Sequence, residues 1–258
     1  PDGFKNEDRR FGLFEESLEN QGVSPDQVAG VITETYQGVG PDFMPAEYAQ
    51  KLRQWCNEHD VTLIMDEVQA GFGRTGKLFG FEHYDIVPDL ICCGKGVSSS
   101  LPLSAVIGRP ELMDQYDPGS MTSTHSAHPL CCAAARASLE ALLEEDLVEN
   151  AAEVGEVLRD GLNNIQQDHP DVVGCAQALG LVGGLQIVQP GTKTPYPDLA
   201  MDINEACFRK GLLMFAPVGV GGECIKIAPP LCTEEDALRE GLQVLKEAVD
   251  ESCEARSV

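Results

Sequence analysis

Basic residues are scarce in this chain. Across its 258 residues, 18 Lys and Arg stand against 42 Asp and Glu, a formal net charge of −24. So little positive charge excludes general nucleic-acid binding and adhesion to anionic membrane, because both depend on neutralising phosphates. What it leaves is a heavily solvated surface. Also lacking are a charged-apolar-small leader and any apolar run of membrane-spanning length, which predicts a soluble protein. The first residue is Pro1 rather than Met, so a processed chain or a piece of a longer one is expected. The ten cysteines include no C-x-x-C and no paired zinc spacing. Cys92, Cys93, Cys131 and Cys132 lie in apolar or Ala-rich runs, where cysteine behaves as a small hydrophobe. Reduced, buried thiols in a cytoplasm are therefore expected in preference to disulfides.

Three short apolar runs, "VAGVITE" (28–34), "VTLIMDE" (61–67) and "LICCGK" (90–95), are rich in β-branched residues and cysteine. Continuous rather than alternating hydrophobicity predicts strands covered on both faces. Between the first two, Tyr48, Ala49, Leu52, Trp55 and Cys56 recur at helical spacing after Pro45 at an N1-like position. Strand, helix, strand is the βαβ unit of a parallel sheet. "LSAVIGR" (103–109) follows too soon for a crossover helix, so this strand is predicted antiparallel. The Ala-rich segment after Pro129 predicts one or two long helices. From about residue 171 short strands follow ("VVGCAQ", "LVGGLQIV", "LLMFAPV", "CIKIAPP"). They come with two helices, one stopped by Gly211 and one opening on a capping-box-like Thr233-x-x-Asp236. The tail "SCEARSV" reads as frayed. Residues 1–150 are thus expected to form part of a large α/β domain, and 151–258 a smaller α+β domain.

The stretch "GFGRTGKL" (71–78) fits both G-x-G-x-x-G and the front of a P-loop. Leu78 stands where a P-loop needs Ser or Thr for magnesium, and "FGFEHYDIVPD" does not read as a helix, so a nucleotide cradle is not expected. The chemistry lies at the carboxyl ends of the parallel strands, where α/β sheets bind ligands. These ends carry Glu34, the Asp66–Glu67 pair and Lys95. Taken singly, a solvated strand-end Asp and a surface lysine would be ordinary. Together, Lys95 between two glycines at an apolar strand mouth is expected to be partly desolvated and nucleophilic toward a carbonyl. Asp66, one strand away, can stay ionised opposite a cationic ring. An imine-forming lysine and a carboxylate facing a pyridinium nitrogen are typical of pyridoxal phosphate sites.

From Asp66 to Lys95, "LIMDEVQAGFGRTGKLFGFEHYDIVPDLICCGKG" resembles the signature of class-III aminotransferases, the fold-type-I pyridoxal-phosphate enzymes. "SLPLSAVIGR", "TSTHSAHPLCCAAA" and the late "IAPPL" extend the resemblance over roughly residues 28–250. It implies an α/β fold: half of a fold-type-I large domain, its mainly parallel sheet carrying one antiparallel strand, followed by a small α+β C-terminal domain. It implies pyridoxal 5′-phosphate as cofactor and transfer of an amino group from an amine or amino acid to a 2-oxo acid. By position, Lys95 would form the Schiff base and shuttle the substrate proton. Asp66 would keep the pyridine nitrogen protonated, and Gln69 would hydrogen-bond the phenolic oxygen. Thr124 matches the threonine that reaches the cofactor phosphate of the neighbouring subunit in a homodimer, an N-cap being its structural alternative. Glu34 matches the strand-end Glu of Glu-Pro-x-Gln-Gly.

The departures from the family pattern bear on substrate choice. Many members pair a second Glu with an Arg to switch between ω-amino and α-carboxylate substrates, and here those positions hold Val39 and Lys226. Lys226 can still bind a substrate carboxylate, though as a point charge without a bidentate fork. "HSAHP" places His125 and His128 three apart near the pocket. Structural or pocket-wall roles are expected for them, with a metal pair as the alternative, and no metal is expected. The family's phosphate cup and ring-stacking aromatic lie N-terminal to Pro1. Other readings stay open: a decarboxylase, epimerase or aminomutase of the same fold, or a truncated relative serving as a non-catalytic binding partner.

Overall fold

The computed structural model describes residues 10–258. In chain order, α1 (Gly12–Asn20) leads to β1 (Gly30–Glu34), α2 (Ala46–Glu58), β2 (Thr62–Asp66), β3 (Leu90–Cys93) and β4 (Ala105–Gly108). Then come the short α3 (Pro110–Met113) and the long α4 (Pro129–Glu144) and α5 (Leu147–Asp168). The remainder is β5 (Val173–Leu179), β6 (Val182–Ile187), α6 (Pro197–Arg209), β7 (Cys224–Ile227) and α7 (Glu235–Arg256).

Two sheets result. The first has the order β1-β2-β3-β4, with β1, β2 and β3 parallel and β4 antiparallel to β3. The second is an antiparallel meander, β5-β6-β7. The helical spacing in α2 has its expected result: Ala49, Leu52, Trp55 and Cys56 are buried against Leu63 and Met65 of β2. Pro45 takes the extended N-cap position of that helix, one residue before N1. The second sheet is covered by α5, α6 and α7. Their Leu158, Leu162, Leu199, Ile203, Leu245 and Val249 join Leu185 and Ile187 in the largest core. At about 25 cal/mol per Å² of apolar surface, a cluster of fully buried Leu and Ile is the main stabilising term.

Several expectations are corrected. The first sheet is not covered on both faces within the described residues: Ile32 is 60% exposed and Val106 50%. β2 alternates partly buried and buried positions, so its unbroken apolar run hides a period of two. "LLMFAPV" forms no strand; only Val218 makes an isolated bridge, to Cys224. Leu212 and Met214 pack on the core while Leu213 and Phe215 face solvent. The segment is thus extended but unpaired, and Pro217 has no N–H to give a ladder. A single 3₁₀ turn, Gly80–Tyr84, lies within "FGFEHYDIVPD". The Thr233–Asp236 capping box is not formed, since α7 is entered through Glu234 without a side-chain cap. Nor is the tail frayed: α7 runs to Arg256, Ser252 and Cys253 are buried, and Arg256 Nε donates to Asp202 at 2.5 Å. The Ala-rich segment breaks into two helices at Asp146, whose φ is +50°.

Among the cysteines, Cys93 and Cys207 are buried and pushed up to about 11 by burial. Cys132 and Cys232 are exposed, so Cys132 does not behave as a buried hydrophobe.

Candidate active site

The parallel register sets the site. Glu34 pairs with Asp66, and Asp66 with Cys92, so two carboxylates stand side by side at the carboxyl ends of β1 and β2. Lys95 begins a 3₁₀ turn two residues beyond β3. Its φ is +39°, in the left-handed region that side-chain-bearing residues avoid and that recurs at functional sites. Lys95 is exposed, so within this chain the strand mouth does not desolvate it as its apolar flanks suggest. Asp66 Oδ1 accepts the Val68 N–H at 3.1 Å, which fixes the carboxylate at the strand end.

Gln69 and Lys226 meet across the two sheets. Lys226 Nζ, on β7, donates to Gln69 Oε1 at 2.9 Å and to the Gly38 carbonyl at 2.8 Å. It also lies 5.5 Å from the centre of the Tyr36 ring. Glu34 Oε2 accepts the Gly38 N–H at 3.2 Å. Gly38 lies against the Gln69 amide: a Cβ there would fall 2.0 Å from Nε2, so a side chain at 38 would displace that amide. Burial pushes the Lys226 amine below its usual range; the Lys95 and Arg74 charges act the same way, against Cys224 and Glu34. The site thus brings the Lys95, Arg74 and Glu34 charges within electrostatic reach of Lys226.

The glycine-rich stretch 71–78 has a mechanical role. Arg74 Nη1 donates to the carbonyls of Leu181 at 2.7 Å and Pro229 at 2.6 Å, while the Arg74 carbonyl accepts the Leu181 N–H at 3.0 Å. It thus clasps the β5–β6 turn and the segment just after Lys226. Gly180 fits flush against it: a Cβ there would lie 2.3 Å from the Thr75 carbonyl carbon. Glu67 is fully buried beneath the next turn. Its carboxylate accepts from Thr35 Oγ1 at 2.7 Å and from the Gly80 and Phe81 N–H groups at 2.7 and 3.0 Å. Burial pushes Glu67 upward, against the pull of those three donors.

Of the residues picked from sequence, Glu34, Asp66, Gln69 and Lys226 share the strand-end region with Lys95. Thr124 does not join them; it sits on an exposed turn, and His128 rather than Thr124 is the N-cap of α4. His125 and His128 are exposed on that same turn, and Val39 is 55% exposed. Sequence reasoning missed Tyr36, whose hydroxyl donates to the Gln69 carbonyl at 3.1 Å. It also missed Arg74, whose one available signal was a guanidinium between two glycines of the loop.

A primary amine, a fixed strand-end carboxylate and an oriented amide form a donor set that fits pyridoxal phosphate: an imine partner, a pyridinium counter-ion and a phenolate donor. The class-III aminotransferase family model matches residues 4–249, and the chain belongs to that family. It is 38% identical over 226 residues to a probable 4-aminobutyrate aminotransferase of Bacillus subtilis, covering 87% of this chain and 51% of that protein. It is 37% identical over 231 residues to an alanine/serine racemase of Pyrococcus horikoshii, covering 89% and 48%. The structure superimposes on an S-selective transaminase from Arthrobacter sp. with a TM-score of 0.84 at 36% identity, covering 93% of this chain and 55% of that one. The chain thus spans about half the length of the curated relatives it matches. Among the described residues no helix is long and apolar enough to cross a membrane.

Proposed function

We propose that the protein is a pyridoxal-phosphate-dependent aminotransferase, moving an amino group from an amine or amino acid to a 2-oxo acid. The observation that carries this is the strand register: Glu34, Asp66 and Cys92 align, and Lys95 lies two residues beyond β3. In this reading Lys95 would hold the cofactor covalently, and its freed amine would move the proton between the substrate's α-carbon and the cofactor's C4′. Asp66 keeps the ring nitrogen protonated, with the Val68 N–H holding the carboxylate in place. Gln69 donates to the phenolic oxygen, and Glu34 steadies the 34–38 turn through Gly38. Lys226 keeps one ammonium hydrogen for a substrate carboxylate, since two are committed to Gly38 and Gln69. What pyridoxal phosphate supplies when bound is an electron sink for the charge left on the α-carbon.

Thr124, on its exposed turn, is assigned to the cofactor phosphate of a neighbouring subunit in a homodimer. Residues 1–150 serve as part of the cofactor-binding large domain and 151–258 as the C-terminal domain. The charge balance and free thiols suit a cytoplasmic enzyme. The similarity to an alanine/serine racemase favours one second reading, an epimerase that uses the same residues.

Absorbance spectroscopy tests the proposal on the protein expressed from its full coding sequence. Adding pyridoxal phosphate is expected to give a near-visible band that borohydride reduction fixes onto the Lys95 peptide. The band is expected to be absent in Lys95→Ala, whose turnover falls by at least about 10²–10⁴-fold. A wild-type protein without that band is not a pyridoxal-phosphate enzyme. Stoichiometric pyridoxamine phosphate after a single amine half-reaction supports transfer; racemised amino acid without it supports the epimerase.

A further inference from the structure

Lys226 is bound in a way that does more than present a charge. Its two hydrogen-bond acceptors are both neutral, the Gly38 carbonyl at 2.8 Å and Gln69 Oε1 at 2.9 Å, and the Tyr36 ring lies 5.5 Å from the ammonium. An ammonium has donors only, whereas a glutamine amide has one accepting end and one donating end. Lys226 therefore admits only one orientation of the Gln69 amide: oxygen toward β7, Nε2 away from it. Nε2 packs against Gly38, in the space that a Cβ at position 38 would take. The Gln69 main chain is held separately, its carbonyl accepting from the Tyr36 hydroxyl at 3.1 Å. Backbone and amide are thus held by different partners, Tyr36 and Lys226.

We infer that Lys226 is a positioning residue, one that locks the Gln69 amide with its nitrogen as the donor toward the cofactor's phenolic oxygen. This rests on the proposed pyridoxal-phosphate function and adds a condition to it. Gln69 follows β2 of the first sheet, and Lys226 is on β7 of the second. The donor is therefore set by docking of the two sheets, which the Arg74 clasp and the buried cluster of Tyr36, Ala70 and Val182 hold together. The charged or titratable groups around Lys226 are Glu34 after β1, Lys95 after β3, Arg74 in the loop, Cys224 on β7 and Tyr36 below. All are left unchanged in the variants that test the inference.

The test is a pH titration of the near-visible absorbance of the protein loaded with pyridoxal phosphate. A donor to the phenolic oxygen favours its deprotonated form, so losing an oriented donor raises the titration midpoint. K226M is expected to raise it by about one pH unit, the effect of one hydrogen bond to a charged group, and to weaken pyridoxal phosphate binding. K226R, also donor-only, is expected to restore the midpoint. The deciding comparison is K226M made in a Q69L background, where the shift is expected to vanish. An equal shift with and without Gln69 would mean that Lys226 acts only through its charge, and the inference falls. No shift in K226M also overturns it, while leaving the proposed function intact. Absence of any band in the wild type removes both. If K226M does not fold, K226Q with and without Q69L carries the same comparison, since glutamine lacks both the charge and the donor-only end: a raised midpoint is expected only where Gln69 is present, and an equal shift in both backgrounds overturns the inference.

Discussion

Asp89 shows how much one side chain can bind together. Its carboxylate accepts from Arg53 Nη1 at 2.7 Å, Arg109 Nη1 at 2.8 Å and the Leu63 N–H at 2.8 Å. Burial acts to raise Asp89, but the Leu63 N–H and the two guanidinium groups outweigh it and hold the carboxyl below its usual range. A depressed folded-state value means stability that is complete above the unfolded carboxyl value and lost as pH falls through the folded one. D89N is therefore expected to cost about 3–5 kcal/mol at neutral pH, because Arg53, with only 13% of its side chain exposed, is left uncompensated. Urea titrations should show the gap to wild type closing at low pH; a constant gap would remove the charge from the account. None of this was legible in "VPDLI", where Asp89 looks like an ordinary residue at a strand entrance. Its partners come from α2, from β2 and from just beyond β4, and only folding brings them together. Tyr36 and Arg74 escaped for the same reason, whereas Lys95, Asp66 and Gln69 stood out because their spacing within one segment matched a known pattern.

At the scale of elements, the glycine-rich stretch 71–78 and the β5–β6 turn form one joint. Gly180 has φ +57°, and a Cβ there would lie 2.3 Å from the Thr75 carbonyl carbon and 2.6 Å from the Gly76 nitrogen. G180A is thus expected to be destabilised twice over, by left-handed strain of about 1 kcal/mol and by overpacking of about 1–3 kcal/mol. Thermal unfolding measures the sum, and a midpoint equal to wild type would mean that the joint yields. Elements with a strong internal period were readable: the stripe of α2, the parallel register implied by β1, α2 and β2, and the reversal into β4. Those that failed depend on neighbours. "LLMFAPV" has strand composition but no partner strand, and the Thr233–Asp236 pattern is bypassed because α7 begins one residue later than a Thr233 N-cap requires. Unbroken apolar runs suggested a sheet buried on both faces, but Ile32 and Val106 face solvent in the described residues.

For the whole molecule, charge is the dominant feature. A net −24 on 258 residues repels itself in the compact state. Raising NaCl from about 0.01 to about 1 M shortens the screening length from about 30 to about 3 Å. The urea midpoint is expected to rise across that range, and a flat response would mean the carboxylates are spread too widely to matter. The sequence by itself determined the α/β class, the two sets of strands and the family, because these follow from local periodicity and from motifs within one contiguous segment. Tertiary structure alone decided that Lys226 reaches Gln69, that Arg74 clasps the segment beyond β7, and that Glu67 is buried under the Gly80 turn. Those partners are separated by 157, 155 and 13 positions. A hydrogen bond depends on where two atoms lie in space, and two sheets have to dock before the first two of those distances exist.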